Sequence, residues 1–171
     1  MKYFVILTLF SHSAWGITSS VKFRAKTNGP GISVEGEVKE SQVQTDFKNL
    51  QSATFSTDVM NLTTGMEKRD KHLQEKVFQV HKTGMAKIEY ILSAVNCPTT
   101  VAESVECECK GNLKIKDVSN EINFIAVLNK KKQEIEGKAI ISLTQFKLTA
   151  PTFMGINVLD DVEVLFHVSA N

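Results

Sequence analysis

Hydrophobic and polar residues alternate with a period of two along most of the chain, the pattern of strands that turn one face to a core and the other to water. Val21, Phe23 and Ala25 alternate with Lys22, Arg24 and Lys26. Asn28-Gly29-Pro30-Gly31 breaks the run, and Ile32, Val34, Gly36 and Val38 resume it against Ser33, Glu35, Glu37 and Lys39. The alternation continues through Val43, Thr45 and Phe47, then Ala53, Phe55, Thr57 and Val59, then Ala86, Ile88, Tyr90 and Leu92. In the second half Val105, Cys107, Cys109, Gly111, Leu113 and Ile115 share one phase, opposed by Glu106, Glu108, Lys110 and Lys114. Ile122, Phe124, Ala126 and Leu128 follow, then Ile135, Gly137, Ala139 and Ile141, and finally Val162, Val164, Phe166 and Val168.

Residues 63–78, TTGMEKRDKHLQEKVF, depart from this pattern and predict one helix. Thr64 with Glu67 three residues on has the form of a capping box. Glu67 and Asp70 in the first turn and Lys76 near the end suit the helix dipole. Met66, Asp70, Leu73 and Val77 fall along one stripe of such a helix.

Roughly eight strands joined by short turns predict an antiparallel sheet with one wet face. Such a sheet has two exposed edges unless it closes. Closure at about eight strands leaves an interior that side chains fill, or that holds one small ligand. The expected fold is therefore all-β with one inserted helix, an antiparallel barrel of about eight strands. Gly36, Gly111, Ala126, Gly137 and Ala139 lie in the inward phase, where they either open space or mark bends. Residues 98–104 read as a loop, and no domain boundary interrupts the pattern.

Composition narrows the class. Lys2 followed by the apolar run of residues 3–10 and a small, polar stretch to Gly16 has the form of a secretory signal peptide. It is too short to span a bilayer as a mature helix. Residues 1–16 are thus expected to be removed, leaving residues 17–171 as one domain of about 155 residues, enough to build its own core. The destination is periplasmic or secreted, with no stable membrane insertion. The formal charge of +1 falls to zero without Lys2, so nothing marks a nucleic-acid surface. Lys130-Lys131-Lys132 reads as a solvated turn.

Cys97, Cys107 and Cys109 are three cysteines in an oxidising compartment, so Cys97 pairing with Cys107 or with Cys109 leaves one thiol over. That thiol either packs as a small apolar group or pairs between chains in a homodimer. Neither a metal site nor a cofactor is expected, because the histidines are scattered and three close cysteines lack a fourth ligand. No nucleophile elbow, phosphate loop or His-Glu-x-x-His appears, and no catalytic residue is expected.

Thr64-Gly65, Lys68-Arg69-Asp70, His72-Leu73 and Phe78 together resemble the signature of the YceI-like family of secreted lipid-binding proteins. Residues 109–118 are similar to the family's Gly-x-Leu-x-Ile strand and turn, and residues 160–168 to its closing Asp-x-Val-x-Val strand. Two places depart: His81-Lys82-Thr83-Gly84 stands where the family has a Lys-Tyr-Pro turn. Near Phe146, Lys147 replaces a glycine and an arginine is missing. The resemblance implies an antiparallel lipocalin-like β-barrel around a polyisoprenoid chain or similar long amphiphile, in a divergent member whose ligand is open. The apolar phase then becomes a ligand lining of Phe23, Val34, Phe47, Phe55, Ile88, Tyr90, Leu113, Phe124, Ile141, Phe146 and Phe166. Met66, Leu73, Val77 and Phe78 would close one mouth, with Arg69 or His72 beside a polar head group. In the plainer reading Arg69 and Asp70 pin the helix and His72 only packs. The competing function is a filled barrel that acts on an envelope protein through its surface.

Overall fold

A computed structural model describes residues 16–83, 86–153 and 155–170. Its strands are β1 (Ile17–Thr27), β2 (Ser33–Val38), β3 (Gln42–Thr45), β4 (Ala53–Asp58), β5 (Leu62–Thr63) and β6 (Lys87–Asn96). They continue with β7 (Ser104–Ile115), β8 (Val118–Asn129), β9 (Glu134–Ser142), β10 (Thr152–Phe153) and β11 (Ile156–Ala170). The hydrogen-bonded order is β3-β4-β6-β7-β8-β9-β11-β1-β2-β5, with β10 beside β11, and the pairs are antiparallel.

The two ends of that order are joined by the chain itself. β2 pairs with β1 and β3 pairs with β4, while only residues 39–41 separate β2 from β3. Together they act as one bent strand that closes the sheet into a barrel of eight staves: β1, β2–β3, β4, β6, β7, β8, β9 and β11. Residues 39–41 are fixed by short hydrogen bonds. Lys39 N–H donates to the Asn61 carbonyl (2.8 Å), Thr57 Oγ1 to the Glu40 carbonyl (2.6 Å), and Ser41 Oγ meets Ser19 Oγ (2.7 Å). Closure removes the long exposed edges that an open sheet of this size would carry.

Strand phase follows the sequence. β7 alternates exposed and buried residues along its whole length, Val105, Cys107, Cys109, Gly111, Leu113 and Ile115 all pointing inward. Register shifts between Leu92 and Ala94 and between Ala25 and Thr27 mark bulges that bend the wall. Two apolar clusters pack inside the barrel. One gathers Val59, Val77, Phe78, Ile141 and Phe146; the other gathers Leu50, Cys107, Leu128 and Ile135, with Phe47 against it.

The helical segment is shorter and differently anchored than its sequence predicts. α1 spans Glu67–His72, a π turn follows over Leu73–Val77, and α2 is one turn at Val80–Thr83. No capping box forms: Met66 occupies the cap position and makes no side-chain bond. The Asp70 carboxylate instead accepts Thr63 Oγ1–H (2.7 Å), Thr64 N–H (2.7 Å) and Thr64 Oγ1–H (2.6 Å), tying α1 to β5. Thr64 therefore donates to an acid one turn into the helix and does not cap it. The π turn, closed by Phe78 N–H to the Leu73 carbonyl (3.0 Å), lets the adjacent Val77 and Phe78 both turn into the core.

The cysteine alternatives resolve to a Cys97–Cys107 disulfide. Cys109 is free and buried, its thiol donating to the Cys107 carbonyl. Hence no exposed free thiol is present among the described residues for a bond between chains. The expected signal segment lies outside the described residues but for Gly16. Among the described residues no helix is long and apolar enough to cross a membrane.

Candidate functional site

The inward faces of the strands do not meet across the barrel. They surround an apolar cavity of about 280 Å³. Its wall draws on every stave, for example Phe23 of β1, Val34 of β2, Val43 of β3, Phe55 of β4, Tyr90 of β6 and Leu113 of β7. Phe124 of β8, Ile141 of β9 and Phe166 of β11 complete the ring, and Leu73, Val77 and Phe78 lie against one end. Among the described residues, no charged side chain lines it. Protein interiors are normally packed with few voids wider than a water molecule. An apolar cavity of about 280 Å³ is far larger than such voids.

Most of the aromatic and branched residues expected on the lining are at this wall, Ile88 included. Three are not. Phe146 is buried in the cluster beneath the helical segment, and Phe47 packs on the opposite cluster beside Leu50. Met66 is 53 % exposed, because α1 starts one residue after it and turns its side chain to solvent. Arg69 is exposed and His72 half-buried, and neither reaches the cavity. Asp70 does pin the helical segment, as the plainer reading has it. Sequence phase alone also marks wall residues that the aromatic emphasis passes over: Val21, Val38, Leu92, Ile122 and Val164 share the inward register. Leu143, Leu148 and Pro151 come from a loop without periodicity and carry no such signal.

The inward glycines do not open the lumen directly. A Cβ on Gly36 would collide with the ring of Phe23, one on Gly111 with the ring of Tyr90, and one on Gly137 with the ring of Phe166. Each glycine seats an aromatic ring from a neighbouring strand. The rings lie along the wall and leave the centre free. Tyr90 and Phe124 tilt together at a centroid separation of 5.7 Å, and Phe124 meets Phe166 edge-on at 5.4 Å.

Two carboxylates hold one end of the barrel. Burial alone would raise the Asp70 carboxyl, but the donors of Thr63 and Thr64, with Lys39 nearby, outweigh it and hold it below the usual range. Asp160 is lowered by Ser142 Oγ–H and by Thr144 N–H, which it accepts at 2.5 and 2.8 Å. Burial pushes the Cys109 thiol up, against a backbone donor from Ala126, so it stays protonated. One polar atom is left out: the Tyr90 hydroxyl is buried without a hydrogen-bond partner among the described residues. Such a group typically costs about 1–3 kcal/mol. Burial pushes the Tyr90 phenol well up, with the nearby Cys109 adding to it. No cluster of His, Cys, Asp and Glu among the described residues suits a metal ion.

No curated protein matches the chain by sequence. Among solved structures, BcnA of Burkholderia cenocepacia is similar over 90% of this chain and 96% of its own, with a TM-score of 0.67 at 20% identity. A polyisoprenoid binding domain from Saccharophagus degradans is similar over 90% and 94%, with a TM-score of 0.64 at 12% identity. The YceI protein of Campylobacter jejuni matches 100% of this chain and 98% of its own, with a TM-score of 0.62 at 19% identity. At these identities the likeness is one of fold. The sequence profile of the YceI-like domain matches residues 16–170, which takes in the closed barrel, its helical segment and the cavity wall, and the chain belongs to the YceI-like family.

Proposed function

We propose that this chain is a periplasmic or secreted carrier that holds a long isoprenoid lipid or similar amphiphile inside its barrel. The observation that carries the reading is the cavity: about 280 Å³, lined from every stave and, among the described residues, without a charged residue on its wall. Each CH₂ moved from water into such a wall gains about 0.8 kcal/mol, so a branched hydrocarbon chain binds well with few polar contacts. The structural relative from Saccharophagus degradans is described as a polyisoprenoid binding domain, which agrees with a hydrocarbon occupant.

Residues 1–16 act as the export signal in this proposal, and residues 17–171 as the mature domain. The proposed role is binding without a catalytic step; among the described residues the wall pairs no nucleophile with a base, and Cys109 is buried. The competing idea of a solid barrel working through its surface is disfavoured by the lumen itself.

Native mass spectrometry of protein expressed with its own signal segment, followed by organic extraction, tests the proposal. The expected spectrum shows residues 17–171 carrying a discrete lipid adduct, and the extract yields an isoprenoid. A clean ligand-free mass that stays unchanged after incubation with isoprenoid lipids would reject it.

A further inference from the structure

The cavity wall is apolar, yet its lining includes one side chain with an unused donor. Tyr90 lies on the wall in β6, its ring over Gly111 and tilted against Phe124. Its hydroxyl is sealed from solvent and has no partner among the described residues. The nearby thiol of Cys109 is engaged with the Cys107 carbonyl. A phenylalanine would fill the same seat without leaving a donor stranded, so the hydroxyl is unexplained by packing.

We propose that Tyr90 is the specificity residue of the lumen: its hydroxyl donates to an acceptor oxygen on the bound lipid once the ring turns off Gly111. This rests on the carrier reading and narrows its ligand class. The preferred lipid is then an isoprenoid with a carbonyl or hydroxyl oxygen that travels inside the barrel, not a plain hydrocarbon. Two features fit that motion. Gly111 offers no side chain to trap the ring, and the ring meets Phe124 at a tilt with a centroid separation of 5.7 Å. Burial keeps the phenol protonated, so it remains a donor across the physiological range.

The test compares delipidated wild-type protein with Tyr90→Phe, using squalene as the pure hydrocarbon and a menaquinone of matched tail length as the acceptor-bearing lipid. The wild type should favour the quinone by about tenfold, the size of one good buried hydrogen bond. Tyr90→Phe should bind squalene as before and lose the preference. Removing the stranded donor should also raise the Tm of the ligand-free variant by about 2–4 °C. A near-ultraviolet shift of the tyrosine band on quinone binding, absent in the variant, reports the contact independently of affinity. Equal preference in both proteins, or no preference in the wild type, overturns the role of Tyr90 while the carrier reading stands. Failure of the wild type to take up either lipid overturns the carrier reading itself.

Discussion

Two walls of one barrel carry the same sequence pattern and are packed differently. Along β7, β8 and β9 the inward residues Cys107, Leu128 and Ile135 are buried almost completely, with Leu128 at 0 % exposure. Along β1 and β2 the inward residues Val21, Phe23, Val34 and Val38 are only half-buried, although they alternate just as regularly. The difference is what lies opposite. Cys107 and Leu128 are covered by the cluster around Leu50 and lie off the cavity, whereas Val21, Phe23, Val34 and Val38 border the cavity directly. Period two reports which face of a strand is apolar, and nothing in it reports whether that face finds a partner.

This comparison can be broken most severely on the packed wall. Leu128→Ala should cost about 3–5 kcal/mol in urea denaturation, whereas Val34→Ala on the open wall should cost less than about 1 kcal/mol. Equal costs would mean that the two walls are packed alike. Replacing Cys97 and Cys107 together by alanine frees a loop of sequence separation 10 and should remove about 2–3 kcal/mol. The loss should appear as a lower urea midpoint, and lipid uptake at low temperature should persist because neither residue lines the cavity.

Gly137→Ala probes the seating of the rings. The methyl group would displace Phe166 from the wall, costing about 1–3 kcal/mol and narrowing the lumen, so lipid capacity should fall along with stability. A variant that loses stability but keeps full capacity would separate the glycine seats from the cavity. The smallest effect concerns the helical anchor. Asp70 has its folded-state pKa depressed, so its contribution is present above the unfolded value near 3.8 and is lost as pH falls through the folded value. Asp70→Asn should therefore lower stability by under about 1 kcal/mol at neutral pH and flatten the pH dependence below about pH 4. A wild-type acid profile retained in the variant would remove Asp70 from that role.

How much is legible in the sequence follows from these physical differences. The barrel and the inward phase of each long strand are readable because burying one face of a closed sheet forces strict alternation, as in β7. Closure through the bend at residues 39–41 is not, because it depends on hydrogen bonds to Asn61 and Thr57 made across the fold. The helix signature is visible, but its cap is not. Thr-x-x-Glu has the right spacing, and the acid that wins is Asp70, whose position opposite Thr63 exists only once β5 is in place. The glycines illustrate the same limit: their inward phase is plain, while the rings that occupy them come from neighbouring strands.

The central claim is that the open wall faces a lumen meant for a hydrocarbon chain. The most direct measurement is the thermal shift of delipidated protein titrated with an isoprenoid quinone, wild type against Val34→Trp. The account predicts a Tm that rises and saturates at one lipid per wild-type chain. It predicts no rise in Val34→Trp, whose indole fills the void and whose ligand-free Tm is at least that of the wild type. A wild-type Tm indifferent to lipid, or an equal rise in Val34→Trp, would contradict it.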